Sequence, residues 1–219
     1  MNGARLREHA AAMPKPYDLE RARVEMEDLV AAIAAIEDKP TRTQLTTLVE
    51  AADTRKILEG VFGNSSFLTR IIRQHPDWLP RLIDAAPEAT FETLLEHTAA
   101  SVHAASQAEL MKSLRLAKSE AALLIALADL TGCWPLEKVT HALSDFADAS
   151  LVASIDWLLR DAAQRGQVIG DPETLTAAGS GLPPGAITAS TPARTAAATP
   201  RRRSANTRQR PRMRSGGRR

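Results

Sequence analysis

An all-α, multi-helix bundle is the fold this 219-residue sequence predicts, and three features point to it. Apolar residues make up 44% of the chain but aromatic ones only 4%, so the core must be built from alanine and other aliphatic side chains, which suit helices better than strands. The apolar positions recur at alternating steps of three and four, the period of one helical face. Prolines, glycines and capping residues then cut that pattern into short pieces.

The first helix is expected from an Asp18 N-cap to Ile36, with Leu19, Ala22, Met26, Leu29, Ile33 and Ile36 as one buried stripe. Lys39-Pro40 breaks it, because the residue before a proline is pushed out of the α region. Leu45, Leu48, Val49 and Ala52 give the inner face of a short second helix. Ile57, Leu58, Val61 and Phe62 form a third face, which is expected to stop at Gly63 as a left-handed C-cap, with Asn64 or Ser65 capping the helix of Phe67, Leu68, Ile71 and Ile72. His75-Pro76 ends that helix. Asp77 is expected to cap a turn carrying Trp78, Leu79, Leu82 and Ile83, and Pro87 opens the helix of Phe91, Leu94 and Leu95. Residues 121 to 130 are apolar all round except Asp129, which marks a central, covered helix. Gly132 ends it. Pro135, as the first residue of its successor, opens a long helix through Val139, Leu143, Phe146, Ala153 and Trp157 towards Gly166, with Arg160 and Arg165 near its negative end.

The charge is unevenly spread. Residues 181 to 219 hold ten arginines with no lysine or acid, so the other 18 Lys and Arg face all 26 Asp and Glu within residues 1 to 180. With the Pro/Ala/Arg-rich composition, this sets the expected organisation: a flexible N-terminus over 1–16, a helical domain over 17–170 and a disordered basic tail over 171–219. A single cysteine, Cys133, excludes an internal disulfide and fits a reducing, cytoplasmic setting. No apolar run is long enough to cross a membrane.

Two stretches resemble a known family. Gly60-Val-Phe-Gly-Asn-Ser-Ser-Phe-Leu68, and above all Arg115-Leu-Ala-Lys-Ser-Glu-Ala-Ala-Leu-Leu-Ile-Ala-Leu-Ala-Asp-Leu-Thr-Gly-Cys-Trp-Pro-Leu-Glu-Lys-Val-Thr-His-Ala-Leu-Ser-Asp-Phe-Ala-Asp148, are similar to the N-terminal region of the bifunctional glutamine synthetase adenylyltransferase/adenylyl-removing enzymes. The resemblance covers about residues 45 to 182, and Ser66 stands where the family often has proline. It implies a cytoplasmic nucleotidyltransferase that controls nitrogen metabolism. Such an enzyme attaches AMP from ATP to a tyrosine of glutamine synthetase, removes it by phosphorolysis, uses Mg²⁺ and answers to the PII nitrogen-signalling protein. This chain resembles the start of the adenylyl-removing half.

In that family a Gly-Ser-Gly-Leu like Gly179 to Leu182 leads into a strand, a Gly-rich turn and an Asp-x-Asp pair, whereas here Pro183-Pro184 follows. The last acid in the chain is Glu173, and gripping Mg²⁺ on a nucleotide takes paired carboxylates. The expectation is therefore an interaction scaffold with no catalytic, cofactor-binding or metal-binding residues of its own, from a truncated or frame-shifted gene. Translation of the coding DNA beyond codon 182 in the other two frames is expected to yield a hydrophobic strand and an Asp-x-Asp pair; failure to find them counts against the frameshift.

Other chemistry-bearing residues read more plainly. Asp145 and Asp148 share a helix face, which allows a metal, but ion pairing with Arg115 or Lys118 is the simpler reading. His9, His75, His97, His103 and His141 lack metal-ligand spacing. Cys133 reads as a small inert hydrophobe, and Trp78, Trp134 and Trp157 as core. The rival function is a helical module with a nucleic-acid-binding arm: Arg201 to Arg203, Arg208, Arg210, Arg212, Arg214, Arg218 and Arg219 would neutralise phosphates, and adhesion to RNA would be non-specific. The acidic body and the lack of any aromatic residue after Trp157 weigh against it. An unrelated helical adaptor is the third reading.

Overall fold

The computed structural model describes residues 4–168 and Thr176. The tail expected over 171–219 lies outside the described residues, Thr176 excepted. Among the described residues there are eight α-helices, three short 3-10 segments and no strand: α1 (Leu19–Ala34), α2 (Lys39–Glu50), α3 (Ala52–Asn64), α4 (Ser66–Gln74), α5 (Leu79–Asp84), α6 (Pro87–Ala100), α7 (Gln107–Leu130) and α8 (Leu136–Gln164). No helix among them is long and apolar enough to cross a membrane.

The helix starts follow local chemistry. Asp18 and Asp38 accept the amides of Arg21 and Thr41, each at 2.9 Å, so both carboxylates cap a first turn. Pro40 thus stands in the opening turn of α2, where its missing N–H costs nothing. Ser65 Oγ accepts from Leu68 N to start α4. Ser106 accepts from Glu109 N while Glu109 accepts in return from Ala105 N, a reciprocal cap that fixes the entry to α7. Gly132 and Gly166, with φ of 65° and 69°, end α7 and α8 in the left-handed conformation that other residues avoid.

Several expectations are corrected. The stripe of α1 buries Ala22, Met26, Leu29 and Ile33, but Leu19 stands 72% exposed in the first turn, ahead of the packed part of the helix. Ala52 is an exposed residue opening α3 rather than part of α2's inner face. Asp77 caps nothing, since Pro76–Trp78 forms a 3-10 turn that runs directly into α5. Leu143 faces outward on α8. Pro135 is the N-cap of α8 rather than its first residue.

The largest correction concerns the N-terminus. From residue 4 the expected flexible segment is packed: Leu6 to Ala12 forms a 3-10 segment whose Leu6 and Ala10, with Met13 behind them, enter the core. Gly63 explains why. It is not a left-handed cap but a buried residue inside α3, with Pro16 lying so close that an added Cβ would sit 2.3 Å from the proline Cβ. Gly60, one turn earlier, admits Met13 and the Pro14 carbonyl in the same way. Asn64 then clamps the passing chain: its amide donates to the Lys15 carbonyl at 3.0 Å and its oxygen accepts from Tyr17 N at 3.1 Å.

One continuous core results. The N-terminal segment, α1 and α2 pack around α3, and α6, α7 and α8 pack on one another, with α4 and α5 joining the two groups. Leu123, Leu124 and Leu127 of α7 are fully buried. The apolar central helix is thus covered by its own domain. Exposed leucines occur at Leu116 of α7 and at Leu136, Leu143 and Leu158 of α8, as well as at Leu19.

Candidate functional site

The stretch with the strongest resemblance folds into the corner between α7 and α8. Thr131 is fully buried and its hydroxyl donates back to the Leu127 carbonyl at 2.7 Å; after Gly132 reverses the chain, Trp134 N donates to the Ala128 carbonyl at 3.1 Å. This drives the Trp134 side chain inward, edge-on to Phe91 of α6 with ring centroids 5.9 Å apart. Its indole N–H donates to Glu88 Oε1 at 2.9 Å. Lys138, one turn into α8, pairs with the same oxygen and sits 5.0 Å above the indole ring.

Burial alone would push Glu88 up, yet the Lys138 ammonium, its own amide and the indole N–H together hold its carboxyl below the ordinary glutamate value. The carboxylate is thus ionised and fixed. Cys133 behaves oppositely: burial and then the Glu88 charge raise its thiol against the opposing pull of Lys138. At neutral pH the thiol form therefore dominates, and the thiol is a poor nucleophile.

A cleft of about 240 Å³ beside this corner is floored by Phe91, Leu95 and Ala142 and edged by Glu92, His141 and Asp145. Asp145 therefore faces α6, and neither it nor Asp148 is ion-paired with Arg115 or Lys118 among the described residues. Among the described residues no three His, Cys, Asp or Glu side chains converge to hold a metal ion. The five histidines are scattered, with His75 stacked on Trp78 at 4.0 Å and His103 beside Arg160. Trp78, Trp134 and Trp157 are all buried, Trp157 donating to the Ala104 carbonyl at 2.8 Å.

Sequence reasoning missed the Glu88–Trp134–Lys138 group. No motif joins residues 46 and 50 positions apart, and only an acid in the first turn of α6 next to a buried indole hinted at it. It also missed a second cleft, between α1 and α4, lined by Arg21, Arg70 and Arg73. Helical spacing brings Arg70 and Arg73 together on α4, but nothing local places Arg21 beside them.

The fold and this corner define a helical body in which fixed polar groups from α6 and α8 pin the helices together. Comparison with known proteins gives the family: the profile for glutamate-ammonia ligase adenylyltransferase matches residues 55–181, and the chain belongs to that family. Among similar proteins, the bifunctional glutamine synthetase adenylyltransferase/adenylyl-removing enzyme of Xanthobacter autotrophicus is 37% identical over 166 residues, covering 75% of this chain and 16% of that protein. The same enzyme of Rhodopseudomonas palustris strain HaA2 is 39% identical over 142 residues, covering 64% and 13%. That of Bradyrhizobium sp. strain ORS 278 is 42% identical over 115 residues, covering 52% and 12%. No solved structure matches. The chain spans about one sixth of the length of the curated relatives it matches.

Proposed function

We propose that this chain is a helical, non-catalytic portion of the adenylyl-removing half of a glutamine synthetase-modifying enzyme, and that it acts as an interaction body. One observation carries the reading: the family match spans residues 55–181 and takes in helices α4 to α8, while Glu173 is the last carboxylate side chain in the sequence. Magnesium and ATP belong on this reading to the longer relatives rather than to this chain. Glutamine synthetase is the protein partner, PII the regulator that the resemblance implies, and the cytoplasm the setting.

The experiment is an assay of the purified chain, freed of host enzyme, on adenylylated glutamine synthetase with phosphate and Mg²⁺, and on the unmodified form with ATP. The expected result is no ADP release and no labelling of the tyrosine above the blank. Turnover that co-elutes with the chain in gel filtration overturns the non-catalytic reading. In parallel, immobilised chain is expected to retain glutamine synthetase; absence of retention at any concentration tested removes it as the direct partner of this region.

A further inference from the structure

We propose that the cleft between α1 and α4 is a binding site for a phosphate group, carried by a small molecule or present as the free ion. The cleft measures about 380 Å³ and is walled by Arg21 of α1 and by Ser66, Thr69, Arg70 and Arg73 of α4.

The three guanidinium groups differ in how they are held. Arg73 is engaged by Glu25 at 3.0 Å and Asp28 at 3.5 Å, which fixes it at one end. Arg21 donates through Nε to the Phe62 carbonyl at 2.6 Å, at the C-terminal end of α3. That bond orients the guanidinium, whose Nη2 has no acceptor among the described residues. Arg70 is exposed, stacked 5.5 Å over the Phe67 ring, and has no carboxylate partner among the described residues.

Ser66, the first residue of α4, lines the same cleft. Leu68 N is taken by Ser65 Oγ and Thr69 N by the Ser65 carbonyl, which leaves the two earlier amides, Ser66 and Phe67, without helical acceptors. The Ser66 hydroxyl stands beside them. A tetrahedral oxyanion offers enough lone pairs to take guanidinium N–H groups from two sides and amides from a third, and a helix start favours negative charge. Glu25, the one acid on the wall, is already turned to Arg73 and limits the site to a single phosphate rather than a polyphosphate.

The test is titration of the full chain with inorganic phosphate, AMP and phosphoserine at constant ionic strength, followed by amide chemical shifts. Saturable shifts confined to Ser66 through Arg70 and Arg21 are expected. Arg70→Gln, an exposed substitution that leaves the fold intact, is expected to weaken the apparent Kd at least fivefold without altering the shifts of other regions. The two sources separate by affinity: tighter binding of AMP or phosphoserine than of inorganic phosphate assigns a phosphorylated small molecule, equal binding the free ion. Linear, non-saturating shifts, or saturation confined to the C-terminal arginines and unaffected by Arg70→Gln, overturn the site.

Discussion

Replacing Gly63 by alanine is expected to destabilise the protein by about 1–3 kcal/mol, even though alanine is the better helix former by nearly 1 kcal/mol at an ordinary helical position. The sign is decided by what the new methyl meets. It would lie 2.3 Å from Pro16 Cβ, 2.7 Å from Pro16 Cα and 3.1 Å from the Asp18 carbonyl oxygen, and a proline ring with its backbone has no free end to swing aside. The segment would have to lift off. With it would go the Asp18 N to Gly63 carbonyl bond of 3.2 Å, the two Asn64 bonds to Lys15 and Tyr17, and the seating of Met13 and Leu6 in the core. A fall in Tm of roughly 5–10 °C, with protease cleavage appearing first between residues 4 and 18, is the expected observation. A rise in Tm would mean that the N-terminal segment does not lie on α3.

The same residue shows what was legible in the sequence. A glycine after a run of buried positions marks a helix end by local rules, and at Gly132 and Gly166 those rules hold because nothing else approaches. At Gly63 the absent side chain serves a contact with a residue 47 positions earlier, which no local pattern encodes. From Asp18 onward the existence of the α-helices was readable, up to the all-apolar face of α7, because it depends on neighbours within one or two turns, whereas the 3-10 segment at Leu6–Ala12 was not. The faces of α8 were only half readable. Val139, Ala153 and Trp157 turn inward while Leu143 does not, since two packed helices, α6 and α7, choose the buried side of a helix with apolar residues on more than one face. The family was legible because the corner motif Thr131 to Pro135 lies within the contiguous run Arg115 to Asp148 that carries the resemblance. The polar group that motif builds was not, because Glu88 arrives from another helix.

Truncating Trp134 to alanine is expected to have the largest effect of any single substitution at this corner, about 3–5 kcal/mol, or roughly 10–15 °C in Tm. The indole is 3% exposed and bears on Phe91, so its removal opens a cavity where α6 meets the start of α8. It also strips Glu88 of its N–H donor and Lys138 of the ring beneath it. Trp134→Phe separates these contributions, since it keeps most of the packing and loses only the hydrogen bond, with an expected cost of about 1 kcal/mol. The carboxylate itself contributes less. Its side chain is 39% exposed, and a solvent-screened pair of this kind is worth under about 1 kcal/mol. Its pH signature is nevertheless definite: because Lys138 and the indole depress Glu88 in the folded state, its stabilisation is complete above the unfolded glutamate value of about 4.3. It fades as pH falls through the lower folded value. Thermal melts of the parent and Glu88→Gln proteins should therefore differ at neutral pH and converge in acid. Melts that stay parallel down to the lowest pH would show that the Glu88 charge contributes nothing to the corner and that Trp134 holds it by packing alone.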